Sequence, residues 1–131
     1  MSKGEGEMKV EVSLGELVDK LTILAIKREK IGDPDKLENI RKEYEELREI
    51  MVSAGITEAS PEYQQLYSVN LQLWETEDRI RAKEAEKTFD DDFISLARGV
   101  YFRNDERAAV KRQINLKFGS DLIEEKQYTR Y

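Results

Sequence analysis

The sequence predicts an all-α protein, an up-and-down helical bundle of four to five helices with a short N-terminal strand. Apolar residues recur every three or four positions through most of the chain, which is the spacing of amphipathic helices. The 131 residues include only two prolines and seven glycines, so long helices are seldom interrupted. We expect a single domain, with an N-terminal arm over residues 1–12, the bundle over 13–118 and a C-terminal tail over 119–131.

The arm contains the predicted strand. Met8, Val10 and Val12 alternate with Lys9 and Glu11, a period of two that is typical of a strand. A lone strand needs a partner for its backbone, and two partners are open: the C-terminal tail or the same segment of a second subunit.

The first predicted helix begins with a capping box, Ser13 followed by Glu16, and Gly32 ends it. Its main apolar stripe consists of Leu14, Leu17, Val18, Leu21, Leu24 and Ala25. Ile23 and Ile26 lie away from this stripe, so the helix is apolar on two sides. It is therefore either central to the bundle or half of a subunit interface.

The second helix is predicted to begin at Pro34 and to end at Gly55, and the third to run from Pro61 to residue 86 or 87. The second helix has a coiled-coil-like seam of Leu37, Ile40, Tyr44, Leu47 and Met51.

Three consecutive aspartates, residues 90–92, favour the start of a fourth helix. The buried face predicted for it consists of Phe93, Ala97, Val100 and Tyr101. The chain either breaks at residues 104–105 and restarts as a fifth helix, or continues to about Phe118 before Gly119 stops it.

Composition excludes several kinds of chemistry. The chain has no cysteine and no histidine, which removes disulfides, thiolate metal sites and the usual near-neutral general base. The net charge of −6 argues against broad binding to nucleic acid. We expect no cofactor and no membrane span. Residues 1–7 lack the hydrophobic segment of a signal peptide, so we expect a cytoplasmic location.

Polar side chains interrupt the predicted inward face of the third helix. Four polar residues fall within this face, near Trp74 and Tyr67: Asn70, Glu77, Arg81 and Glu84. We expect Glu77 and Arg81 to pair with each other or with a neighbouring helix, because an unpaired buried charge is costly. The set is either a polar ladder that fixes the register of the bundle or a partly wet pocket that binds a ligand.

Residues 98–117 contain six basic and two acidic residues, a local charge of +4. If the helix is continuous, Asn104, Arg107, Lys111 and Asn115 share one face that suits a phosphate or carboxylate ligand. Alternatively, these cations neutralise the acidic face of the third helix and stabilise the monomer or a dimer.

A pattern of paired acids, Glu43 and Glu46 followed by Glu75 and Asp78, resembles the helical carboxylate motif of all-α nucleoside triphosphate pyrophosphohydrolases. That resemblance implies Mg²⁺ held between helices. The chain contains 28 acidic residues, so such pairs also arise by chance.

Short stretches of the chain after residue 10 carry a second resemblance. They are residues 15–24, 26–27, 73–74, 77–78, 80–81, 93–94, 96–98, 100–101, 104–105, 107–108, 111–112, 114–115 and 124–126, with Tyr128. Together they resemble an uncharacterised bacterial and phage family of short helical proteins, a domain of unknown function. The resemblance implies an all-helical fold and a loose association with surface-polysaccharide and glycosyltransferase genes, and it implies no catalytic residue.

We therefore expect a non-catalytic helical binding or assembly protein that forms a homo-oligomer or binds another protein. It would act through the two-sided first helix and the polar residues between the third and fourth helices. The alternative is a binder of, or an enzyme acting on, a phosphorylated or nucleotide-linked small molecule. In that alternative Arg81, Arg107 and Lys111 are charge clamps and Glu77 is an acid or base.

Overall fold

The computed structural model describes residues 6–119, and in this range it contains four helices. They are α1 (Leu14–Lys30), α2 (Pro34–Ser53), α3 (Pro61–Ala85) and α4 (Asp91–Lys117). The predicted helical bundle is confirmed. The short N-terminal strand is not present as such, since residues 7–13 lie in no helix or strand. The predicted tail, apart from Gly119, lies outside the described residues.

The helix starts follow the capping signals in the sequence. Ser13, Asp33 and Asp90 each accept a hydrogen bond from a backbone amide in the first turn of the helix that follows, at 2.9–3.1 Å. Each bond satisfies an amide that has no partner within its helix. The predicted starts of all four helices therefore agree with the structure to within a residue or two.

The fourth helix is continuous, and this decides between the two alternatives left open by the sequence. Residues 104 and 105 lie inside α4, which runs without a break to Lys117. Low helix propensity at two positions is a weak effect, and the packing of α4 against α1 and α3 overrides it. The basic residues of α4 therefore lie on one continuous helix. The predicted shared face of Asn104, Arg107, Lys111 and Asn115 requires this continuity.

The first helix is central to the bundle: α1 packs against α2, α3 and α4. Val18 and Leu21 have no exposed surface, and Ile26, on the second apolar side, is 1% exposed. The hydrophobic core consists of Leu17, Val18, Leu21, Leu24, Ala25, Tyr44, Met51, Ile56, Tyr63, Leu66 and Ile114. Burying each large aliphatic side chain contributes about 1.5–3 kcal/mol. The two apolar sides of α1 are thus used inside the protomer.

The antiparallel hairpin of α3 and α4 extends beyond the core. Lys83 pairs with Asp90 at 3.1 Å near the turn that joins the two helices. α1 has 17 residues and α4 has 27, so their lengths are about 26 and 40 Å. α1 contacts α3 at Asn70 and Tyr67, and no residue of α3 after Leu73 is buried, so α1 does not cover the far end of the hairpin.

The exposure of this end of the hairpin corrects two predicted faces. Glu77 and Arg81 are exposed, and Trp74 is only half-buried. On α4, Tyr101 is exposed, whereas Leu96 is buried. The helical periodicity of these residues is real, but among residues 6–119 no third helix lies over this part of the hairpin.

Gly15 allows the closest approach of α1 to α4. Its backbone amide donates to Asn115 Oδ1 at 2.7 Å, and both residues are buried. A Cβ at this position would overlap the backbone carbonyl oxygen of Lys111. Because a carbonyl within a helix cannot swing aside, any side chain at residue 15 must push the two helices apart.

We expect Gly15→Ala to lower the free energy of unfolding by about 1–3 kcal/mol, the usual cost of overpacking. Urea denaturation followed by circular dichroism at 222 nm measures it. Gly99→Ala is the matched control, because a Cβ there meets nothing within 4 Å and alanine favours a helix over glycine. Equal stability of the two variants would show that the helices do not touch at Gly15.

Candidate functional site

A group of polar side chains lies where α1 meets α3 and α4, and we call it the α1 seam. Its members are Glu16, Asp19 and Thr22 of α1, Asn70 of α3, and Arg107, Lys111 and Asn115 of α4. They are buried or partly buried in the middle of an otherwise apolar contact. The seam is thus the largest internal concentration of polar groups in the part of the chain that the structure describes.

A buried carboxylate is the centre of the seam. Asp19 is 1% exposed, and Arg107 binds both of its oxygens. Arg107 Nε donates to Oδ1 at 2.8 Å and a terminal guanidinium nitrogen donates to Oδ2 at 2.5 Å. This two-pronged geometry is the strongest common form of a carboxylate ion pair. The Arg107 side chain keeps 29% of its surface exposed, so one edge of the pair faces solvent.

Asn70 and Thr22 complete the coordination of Asp19. The Asn70 amide nitrogen donates to Asp19 Oδ1 at 2.9 Å and to Thr22 Oγ1 at 2.8 Å. The Thr22 hydroxyl donates in turn to the backbone carbonyl of Asp19 at 2.7 Å. In residues 6–119 no buried side-chain polar atom lacks a hydrogen-bond partner. Every buried polar atom of the network thus has a partner, and a network satisfied in this way favours one relative position of the three helices.

A second ion pair lies one helical turn further along the seam. Lys111 Nζ lies 2.7 Å from a carboxylate oxygen of Glu16, and Lys111 is buried whereas Glu16 is half-exposed. Asn115, also buried, accepts the hydrogen bond from Gly15. The cations of α4 thus neutralise acids of α1. The prediction that they neutralise the acidic face of the third helix holds for Lys117, which pairs with Glu62, but is wrong for Arg107 and Lys111.

The structure separates the predicted site residues into two groups. Asn70, Arg107, Lys111 and Asn115 all lie in the α1 seam. Trp74, Glu77, Arg81 and Asn104 form no hydrogen bond or ion pair with it, and the last three are exposed. The predicted pairing of Glu77 with Arg81 is wrong, because neither forms an ion pair within residues 6–119. Both residues lie beyond Leu73, the last buried residue of α3, so burial does not force them to find partners.

The acids of the pyrophosphohydrolase-like pattern do not form a metal site. Glu43 pairs with Lys20 at 3.2 Å, and Glu46, Glu75 and Asp78 are exposed. Among the described residues, no group of three or more His, Cys, Asp or Glu side chains could hold a metal ion. The spacing of these acids in the sequence is therefore explained by the solvent-exposed faces of α2 and α3.

Sequence reasoning missed the α1 half of the seam: Asp19 and Thr22 were not named, and Glu16 was named only as part of the capping box. A signal for them was present. Asp19 and Thr22 each lie four positions before an isoleucine of the second apolar side, Ile23 and Ile26, so both are on that side and are buried if the helix is central. An aspartate in that setting requires a cation from another helix. The row of cations on α4 was the complementary half of this pattern.

A second polar cluster joins α2 to the start of α3. The hydroxyls of Tyr44 and Tyr63 are 2.9 Å apart, and Tyr44 donates to Glu58, which also accepts from Arg48. Burial raises the pKa of both tyrosines, and the Arg48 guanidinium lowers the pKa of Glu58 below its ordinary value of 4.5. The hydroxyls therefore stay neutral and the carboxylate charged at neutral pH. This cluster holds the loop between α2 and α3 in place.

The fold and its two polar clusters define a small helical bundle whose internal charges are used to position helices. A family model described as a family of unknown function (DUF6165) matches residues 8–131, and the chain belongs to this family. The expected membership of an uncharacterised family is confirmed. No curated protein and no solved structure matches the chain. In the described part of the chain, no helix has the length and apolar character needed to cross a membrane.

We expect the Asp19 and Arg107 substitutions to be strongly non-additive. Arg107→Gln leaves a buried carboxylate without its cation and should cost about 3–5 kcal/mol of unfolding free energy. Asp19→Asn should cost less, because Arg107 can still reach water. The double variant should lose clearly less than the sum, as measured by guanidinium denaturation.

Arg103→Gln is the control for this cycle, since its partner Glu106 is exposed and such surface pairs contribute about 1 kcal/mol or less. Additive losses in the Asp19 and Arg107 cycle would show that the two side chains do not interact.

We expect the effect of Glu58→Gln to depend on pH. The lowered pKa of Glu58 means that its contribution to stability is present above about pH 4.5 and is lost as pH falls through the folded-state pKa. The variant should therefore be less stable than wild type at pH 7 and equal to it in strong acid. Denaturation at several pH values measures this difference, and Glu49→Gln, on the exposed face of α2, is the control. A difference that stays constant with pH would contradict the ion pair.

Proposed function

We propose that this protein is a non-catalytic assembly protein that binds a protein chain through the segment Met8–Val12, which we call the apolar arm. The observation that carries the proposal is the exposure of its apolar side chains. Met8 is 88%, Val10 73% and Val12 53% exposed. Single exposed apolar residues are common on protein surfaces, but three at alternate positions of one short segment form a hydrophobic strip.

The backbone of the apolar arm supports the same role. None of residues 8–12 makes a hydrogen bond with any described residue. Its amides and carbonyls are therefore available to pair with another strand, which is how many proteins add a peptide to an open edge. The strand predicted from the sequence would then form on association, when a partner completes the ladder.

The α1 seam supports a structural rather than a catalytic use of the internal charges. Asp19 and Arg107 bind each other, and Lys111 binds Glu16, so these groups already have partners without a substrate. α1, expected to be one of the binding surfaces, is instead covered by the other three helices. The arm that precedes it is the better candidate for contact with a partner.

The alternative proposed from the sequence is the binding of a phosphorylated or nucleotide-linked small molecule. The geometry supports it less, because Arg107 and Lys111 already donate to carboxylates and Arg81 lies on the exposed part of α3. The implied association with surface-polysaccharide and glycosyltransferase genes stays a prediction. It is compatible with a partner that is a protein encoded by such genes. The cytoplasmic location also stays a prediction.

We expect association to depend on the arm. Light scattering of the full chain at micromolar to submillimolar concentrations should give a mass above that of the monomer. The variant Met8→Ser/Val10→Ser/Val12→Ser should be monomeric with an unchanged helical circular dichroism spectrum. Ile50→Ser/Val52→Ser, which removes two exposed apolar residues from α2, is the matched control and should behave as wild type.

An oligomer of wild-type mass that persists in the arm variant would contradict the proposal, because association would then not depend on the arm. A thermal-shift screen with nucleotides, sugar nucleotides and divalent cations, run on both proteins, tests the alternative. A ligand that stabilises both equally would favour binding of an anionic small molecule.

A further inference from the structure

We propose that the apolar arm pairs with the same segment of a second copy of this chain, as two antiparallel strands centred on Val10. This inference rests on the proposed function and names the partner. It follows from the order of residues in the arm, together with their exposure and the absence of backbone partners within residues 6–119.

The arm is self-complementary when it is read in opposite directions. With Val10 opposite Val10 of the second copy, Met8 lies opposite Val12 and Lys9 lies opposite Glu11. Directly opposite residues of antiparallel strands point to the same face, so every apolar side chain meets an apolar one and every charge meets its opposite. One face of the ribbon would hold six apolar side chains, and the other would hold two Lys–Glu pairs.

Other registers lack this complementarity. A shift by one residue places apolar side chains opposite charged ones, because side chains alternate between faces. A shift by two residues restores the apolar contacts but places Lys9 opposite Lys9, or Glu11 opposite Glu11, and like charges in this position are destabilising. A parallel, in-register arrangement also sets like charges side by side. The sequence of the arm thus selects one orientation and one register.

The position of the arm on the bundle is compatible with this pairing. Ser13 caps α1 and fixes the point where the arm leaves the helices. In the proposed register the Ser13 residues of the two copies are six positions apart, about 20 Å, so the two bundles need not clash. An isolated two-stranded ribbon is only marginally stable, so its apolar face requires cover. Leu116 is a candidate for this cover, because it is 60% exposed and lies near the base of the arm. It directly follows Asn115, which binds Gly15.

Disulfide trapping tests the register, and the chain contains no native cysteine that would interfere. In full-length protein, Val10→Cys should form a disulfide-linked dimer under mild oxidation, because only residue 10 lies opposite itself. Met8→Cys alone and Val12→Cys alone should react at least about tenfold more slowly, since each pair of identical residues is about 14 Å apart. A mixture of the Met8→Cys and Val12→Cys proteins should cross-link to each other. Non-reducing gels measure the rates.

Charge exchange tests the orientation without touching the apolar strip or the core. Lys9→Glu and Glu11→Lys should each weaken dimerisation at least about fivefold in sedimentation equilibrium, because each places like charges opposite each other twice. The double variant Lys9→Glu/Glu11→Lys should restore it, because the opposite pairing is regenerated.

The possible failures are distinguishable. A dimer that depends on the arm but in which Val10→Cys reacts no faster than Met8→Cys and Val12→Cys would overturn the antiparallel pairing and leave the assembly role standing. A wild-type chain that is monomeric at all concentrations, but binds a different protein only when its arm is intact, would overturn self-pairing alone. If no association of the protein depends on the arm, both the self-pairing and the assembly role are overturned.

Discussion

The buried carboxylate of Asp19 constrains the whole bundle. Removing a charge from water costs several kcal/mol unless a cation and further hydrogen-bond donors surround it, and two other helices supply them. Arg107 must reach it from α4, and Asn70 from α3. Those requirements fix the distance of α3 and α4 from α1, their rotation about their own axes and their position along those axes. The apolar contacts around the seam tolerate small displacements, whereas two-pronged ion pairing does not.

The same constraint explains how the charge of α4 is used. A row of cations along one helix in an acidic protein suggests a ligand site, and here part of that row binds α1. The Gly15 contact cooperates with it: the absence of a side chain brings the backbones close enough for Asn115 to accept the Gly15 amide and for Lys111 to reach Glu16. Side-chain size and side-chain charge thus determine the same interface.

Local features of the sequence predicted local structure well. Capping residues such as Ser13 and Asp90 act on amides three positions away, so helix starts can be found without knowledge of the fold. The two apolar sides of α1 limited its place to the centre or to an interface. Pairings across the fold were harder. Arg107 and Asp19 are 88 positions apart, and Asn70 and Asp19 are 51 apart, so sequence spacing carries no information about which acid each cation meets. The error at Glu77 and Arg81 arose because periodicity shows which face of a helix could be buried but not how far a neighbouring helix extends.

The position of α1 on the α3–α4 hairpin divides the described part of the molecule into two regions with different cooperativity. Near Asp19 each turn is held by contacts with three neighbours, and opening one helix there would disrupt the others. Towards Phe89 each turn of α3 and α4 contacts mainly the other, with exposed ion pairs such as Arg79–Asp92. Opening this end forfeits little buried surface, so it can separate without unfolding the rest. The chain thus combines a rigid body, whose geometry is fixed by charge, with a tip that opens at low energetic cost.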